Sequence, residues 1–136
     1  LNYTFSYNDQ FSIEFANFPH DQQTAILQFA VCFSQHGLSD FTKYPGKITQ
    51  SWSGLDVSDP AYSYTYGNDL WHYHVGLPSY KSVHPKYKTS DIVLHFQWPD
   101  WQKHGTHIDL VDIYNHYTSK GDFYLPPASY LAKSSR

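Results

Sequence analysis

The chain has 136 residues, 40% of them hydrophobic, and a formal charge of −3. That is enough apolar surface for one globular domain spanning residues 1–136. No run of 18 apolar residues and no basic-then-apolar leader is present, so neither a membrane span nor a signal peptide is expected. The single cysteine, Cys32, cannot form an internal disulfide, which fits a reducing, cytoplasmic setting.

The net charge hides an asymmetry. Residues 1–70 carry seven carboxylates against two lysines, whereas residues 71–136 carry seven Lys or Arg, five Asp and seven of the nine histidines. Such an imbalance suits a phosphate-bearing partner met by the C-terminal half. Arg136 is the sole arginine, so lysine and histidine would meet that phosphate. Thirteen tyrosines leave more rings than a core needs.

In chain order, Leu1, Tyr3, Phe5 and Tyr7 alternate with polar residues and predict a first strand. Phe11, Phe15 and Phe18 then predict a helix capped by Asn8, although Phe11, Ile13 and Phe15 also suit a strand. Pro19 suits the first turn of a second helix that runs to His36 and stops at Gly37. Within it Ile26, Phe29, Ala30 and Phe33 form one buried stripe, and Cys32 is expected to be a small buried hydrophobe. Residues 38–67 predict a long loop, with at most a short helix near Ser39–Lys43 or a short strand near Lys47–Trp52. Lys43, Lys47, Trp52, Tyr62, Tyr64 and Tyr66 in that loop could serve base stacking or phosphate contacts.

Three period-two segments follow: Leu70–Gly76, Asp91–Trp98 and His107–His116. In the first, Trp71, Tyr73 and Val75 point to a core and His72 and His74 share the opposite face. In the second, Ile92, Leu94, Phe96 and Trp98 make the apolar row and His95 falls on the other side. Neighbouring strands would bring three imidazoles onto one open sheet face. Between the first two segments, Lys81, Lys86 and Lys88 are interleaved with Tyr80 and Tyr87 in a loop, a composition suited to an RNA backbone with stacked bases. Residues 99–105 predict a turn, and Ala128–Lys133 a short terminal helix.

The order strand, helix, helix, three antiparallel strands resembles the RelE/ParE superfamily of bacterial toxins. Phe11 to Gly37, with Phe18-Pro19 between two helices, is similar to the family's N-terminal helical pair. Leu70-Trp-His-Tyr-His-Val followed by Ser79-Tyr80-Lys81 resembles a segment in which basic residues alternate on a strand and another follows an aromatic. Asp112-Ile-Tyr-Asn-His116 resembles the end of the last core strand. The resemblance implies an α+β fold, two N-terminal helices packed on a twisted antiparallel sheet. It also implies a ribonuclease cutting messenger RNA, commonly on the ribosome, held inactive by a protein antitoxin. On that match His72, His74, Lys81 and His116 take the family's reactive positions.

The chemistry can be weighed on the residues themselves. RNA cleavage by its own 2′-hydroxyl needs a base, an acid and positive charge at the phosphate, and histidine supplies both proton roles near neutrality. His72 and His74, roughly 6–7 Å apart along a strand, could flank one phosphate. His95 or His116 could partner them, with Lys81, Lys86 or Lys88 stabilising charge and no metal or cofactor required. Two other readings stand beside this one. The His72-x-His74 pair could hold zinc, completed by His95, His107 or Asp109, or the tyrosines and tryptophans could form a binding platform for a carbohydrate or peptide without catalysis.

Overall fold

A computed structural model describes residues 1–132. Its strands are β1 (Thr4–Tyr7), β2 (Ile48–Gln50), β3 (Leu70–His74), β4 (Lys81–His84), β5 (Tyr87–Thr89), β6 (Ile92–Gln97) and β7 (His107–Asn115). The helices are α1 (Asp9–Glu14), α2 (His20–His36) and α3 (Pro60–Gly67), with single 3₁₀ turns at Phe15–Asn17, Phe41–Lys43, Trp101–Lys103 and Ala128–Tyr130. The protein is therefore mixed α and β, as its alternation of 3.6- and 2-residue periods predicts.

Five strands form one sheet in the order β1-β7-β6-β3-β2. β2, β3, β6 and β7 pair antiparallel, but β1 runs parallel to β7 from Thr4↔His107 to Tyr7↔Leu110. The sheet is thus mixed and not antiparallel throughout. A parallel partner needs a long crossover, and here the whole intervening chain supplies it.

The second helix follows its pattern. Pro19 precedes it, Gly37 ends it at φ 62°, and Ala25, Ile26, Phe29, Ala30 and Phe33 are buried. Phe29 packs 4.8 Å from Tyr73 and 5.6 Å from Phe96, ring centre to ring centre. The apolar rows of β3 and β6 thereby meet the helix stripe, and Ile108, Leu110 and Ile113 of β7 belong to the same core. Cys32 is only half-buried, its Sγ directed to the Lys43 carbonyl.

Several expectations need correction. The first helix is one short turn and a half, because the chain passes into a 3₁₀ turn at Phe15. Asn8 does not cap it with its side chain; its amide donates instead to Gln97 Oε1 and the Tyr130 carbonyl, both at 3.0 Å. Residues 38–67 form the short strand expected near Lys47–Trp52, as β2, and a 3₁₀ turn at Phe41–Lys43, but they also contain an unexpected helix, α3, capped by Asp59, which accepts from the Ala61 N–H, with Pro60 at the first turn. The lysine-rich loop is a hairpin, β4–β5, forming its own two-stranded sheet. The closing helix is a single turn at Ala128–Tyr130; Lys133 and Arg136 lie outside the described residues.

One irregularity decides which side chains reach the sheet face away from α2. On β7 the pairing shifts between His95↔Asp112 and Phe96↔Leu110, so Val111 is an extra residue, a β-bulge. Strict alternation from Ile108 and Leu110 would send Asp112 into the core. The bulge reverses the parity: Ile113 joins the core, and Asp112 comes beside His95.

Candidate active site

On the sheet face away from α2, His72, His74 and His95 come together as the strand pattern predicts, and His116 joins them from just beyond β7. His72 pairs across β3–β6 with His95. The ring centres of His72 and His74 are 5.6 Å apart, those of His72 and His95 5.8 Å, those of His72 and His116 4.7 Å, and those of His74 and His116 5.1 Å. One ring nitrogen from each of His72, His74 and His116 lies within 4.8 Å of the others.

The face is not open. His72, His74 and His95 are buried, because the chain after β7 turns back over them. The Tyr124 N–H donates to the His116 carbonyl at 3.0 Å, the Thr118 N–H to the Asp122 carbonyl at 2.7 Å, and Tyr117 bridges to Phe123. What remains is a cleft of about 410 Å³, lined by the four imidazoles, Lys47, Lys81, Asp91, Ser51 and Ser90, with Tyr117, Phe123 and Tyr124 at its wall.

Each imidazole is held differently. His72 Nδ1 shares a 2.9 Å hydrogen bond with Ser51 Oγ, and Ser51 is placed by its own N–H donating to the Leu70 carbonyl. His74 Nδ1 sits against the Ser90 backbone, 3.0 Å from its N–H and 2.8 Å from its carbonyl. His95 Nδ1 lies 2.8 Å from Asp112 Oδ1, and the Tyr124 hydroxyl donates to Asp112 Oδ2 at 2.6 Å. His116 Nδ1 is buried and has no hydrogen-bond partner among the described residues. Its ring is clasped by Tyr117 and Phe123, at 4.7 and 5.2 Å.

Burial governs the charge state. Desolvation holds His72 well below the usual imidazole range, and the neighbouring His95, His116, His74 and Lys47 push the same way. His74 is lowered by burial and by Lys47, partly opposed by its Ser90 hydrogen bond. Burial, with His74, His95 and Lys47, brings His116 down to about 4. At neutral pH these three rings carry lone pairs and no charge. Tyr124 is raised by burial and by the Asp112 carboxylate, so it remains a hydroxyl donor.

Of the lysines expected at the site, Lys47 and Lys81 line the cleft. Lys47 places its ammonium 4.5 Å above the Tyr87 ring, and Lys81 pairs with Asp91 at 2.8 Å. Lys43 lies on the turn after α2, Lys86 between β4 and β5, and Lys88 on β5; none lines the cleft. His107 and Asp109 pair with each other at 3.1 Å at the β1–β7 edge beside Thr4 and Ser6, so the third imidazole near His72 and His74 is His116.

Of the rings proposed for a platform, Trp52 is buried in the core, Tyr62 and Tyr64 are partly buried and Tyr66 is exposed. Trp52 meets Trp71 and Trp101 at 5.9 and 5.3 Å, Tyr62 stacks on Tyr66, and the Tyr64 hydroxyl donates to the Pro126 carbonyl. The aromatic wall of the cleft comes from the tail instead. Asp112's place beside His95 depends on the bulge, and Tyr124, Ser51 and Ser90 arrive from segments with no periodic signal. Among known proteins, no family model, no curated protein and no solved structure matches this chain.

Proposed function

We propose that this protein is a metal-independent endoribonuclease of RelE/ParE toxin type, acting on cytoplasmic messenger RNA, free or on the ribosome, and neutralised by a protein antitoxin. The observation that carries the reading is the gathering of His72, His74, His95, His116, Lys47 and Lys81 around one cleft. β1, α1, α2 and the antiparallel run β3, β6 and β7 are the elements this reading expects, with β2, α3 and the β4–β5 hairpin inserted among them.

In this scheme the RNA phosphate enters the cleft between the imidazoles and Lys47. His95 is the base: Asp112 fixes the proton on Nδ1, so Nε2 keeps its lone pair for the 2′-hydroxyl proton, and the carboxylate offsets the charge that then forms on the ring. The 2′-oxygen attacks phosphorus, and the bond to the 5′-oxygen breaks. An imidazole of the His72, His74 and His116 group, protonated once the anionic phosphate lies against it, gives its proton to that leaving oxygen. Lys47 stabilises the extra charge of the transition state, with Lys81 held by Asp91 at the cleft wall, and Tyr117 and Phe123 offer faces to the flanking bases.

The test is cleavage of a labelled messenger RNA by the purified protein, with chelator, with and without ribosomes, beside a His72→Ala, His74→Ala double variant. Cutting by the wild type alone is the expected result. Absence of cutting under every condition, or equal cutting by the folded variant, overturns the proposal.

A further inference from the structure

We infer that His72, His74 and His116 form a binding site for a single zinc ion inside the cleft. One nitrogen from each ring lies within 4.8 Å of the other two. Zinc bound to imidazole at about 2.0–2.1 Å in a tetrahedral shell sets its donors about 3.3 Å apart, a contraction within reach of small side-chain rotations.

Two of the rings have Nδ1 engaged by the protein, the kind of outer contact that metal-bound imidazoles usually make, and with the proton on Nδ1 the other nitrogen is free to ligate. Ser51 Oγ engages His72 Nδ1, and the Ser90 backbone engages His74 Nδ1. The third supplies an independent sign. His116 Nδ1 is buried without a partner among the described residues, a state that folded proteins seldom leave unanswered. The backbone of His116 is pinned on both sides, its N–H donating to the Asp91 carbonyl at 2.8 Å and its carbonyl accepting from Tyr124. Those bonds fix the point on the chain from which the ring enters the cleft.

The donor set narrows the ion to those that favour imidazole, among which zinc accepts a tetrahedral shell without redox chemistry. Three imidazoles and no thiolate suit zinc, whereas magnesium and calcium prefer oxygen ligands. Asp91 also lines the cleft but is engaged by Lys81, which leaves the fourth position to water or an anion from the cleft. A lone pair given to zinc can neither take nor return a proton. Zinc is therefore expected to switch the cleft off, a consequence that rests on the ribonuclease reading; the binding itself does not.

The experiment is a titration of metal-stripped protein with zinc in competition with a chromogenic chelator, repeated with cobalt to read the visible absorption of a nitrogen-ligated tetrahedral ion. One ion per chain is expected, at least tenfold weaker in His116→Ala and in His74→Gln, with His107→Ala unchanged because that ring is outside the cleft. A zinc-dependent rise in melting temperature of the wild type, not produced by magnesium, tests the same site if a variant fails to fold. Equal binding in the folded variants, or no binding and no thermal shift in the wild type, overturns the site. RNA cleavage measured on the same samples separates the two ideas: protein that cuts RNA but binds no zinc refutes the zinc site, and protein that binds zinc in the trio but cuts no RNA with or without chelator refutes the ribonuclease.

Discussion

Asp112 Oδ1 lies 2.8 Å from His95 Nδ1, with both side chains buried. A carboxylate there selects the tautomer that leaves Nε2 as the reactive nitrogen, the task a buried Asp performs for a general-base histidine elsewhere. Asp112→Asn keeps the size and removes the charge. RNA cleavage is expected to fall by about 10²–10⁴-fold, read as kcat/KM on a labelled RNA. A variant that folds as the wild type and retains full rate would remove His95 from the base role.

The second oxygen of the same carboxylate gives a separate test. The Tyr124 hydroxyl donates to Asp112 Oδ2 at 2.6 Å. Tyr124→Phe leaves that oxygen one donor short and is expected to lower stability by about 1.5–3 kcal/mol, as for hydrogen bonds to charged groups. Urea unfolding at pH 7 measures it, and an unchanged midpoint would mean that water replaces the hydroxyl.

How far the sequence announces this site depends on what each residue's position rests on. The His72, His74 and His95 cluster is legible because alternation along β3 and β6 needs only the strand period, and the α2 stripe is legible from its 3.6 period. Asp112 is not, since alternation counted from Ile108 places it in the core; only the extra residue Val111 brings it to His95. The closed cleft is equally hidden, because Tyr117, Phe123 and Tyr124 reach it through a turn-rich tail. α3 hides in a Ser- and Tyr-rich run despite its Asp59-Pro60 start, which signals a helix as readily as a turn. A segment of mixed lysine and tyrosine reads as a solvated loop, yet Lys81 and Tyr87 fall on paired strands.

Gly46 is required by a close approach. A Cβ at this position would collide with the His74 carbonyl and crowd the Tyr80 ring. The neighbouring backbone is tied to the same place, His74 N–H donating to the Lys47 carbonyl at 2.9 Å. Gly46→Ala is therefore expected to cost about 1–3 kcal/mol, the range for overpacking, and to displace His74 in the cleft. Gly67→Ala is the control. Nothing surrounds that position within 4 Å, so its urea midpoint should hold or rise slightly.

Acid should loosen the protein in a window set by the cleft. His72, His74 and His116 all fall below their ordinary value on folding, His116 to about 4. Such groups bind protons more readily when unfolded. Their neutral burial therefore leaves stability intact above about pH 6.5, and stability is lost as pH falls from there through about 4. Asp40 and Asp56, held below the ordinary carboxylate value of 3.8 by their hydrogen bonds to Thr42 and Ser58, lose their contribution only below this window. Urea midpoints between about pH 7.5 and 4.5 should decline in the wild type and decline less in His116→Gln. A flat wild-type profile would contradict neutral burial of the three rings.

The two lysines at the cleft should differ in what they do for RNA. Lys81 is already neutralised by Asp91 at 2.8 Å, and both side chains are about half exposed. An exposed pair of this kind contributes at most about 1 kcal/mol to stability, so Asp91→Asn should leave the urea midpoint nearly unchanged while freeing an ammonium at the cleft wall. Lys47 rests over the Tyr87 ring rather than against a carboxylate, so its cation stays available to a phosphate. Removing one phosphate contact lowers the slope of log affinity against log salt by about 0.7 for single-stranded RNA. Lys47→Ala is expected to show that loss and a higher KM, whereas Asp91→Asn should tighten RNA binding and steepen the slope. The reverse order, with Asp91→Asn weakening RNA binding, would place the RNA phosphate away from Lys81 and confine its contacts to Lys47 and the imidazoles.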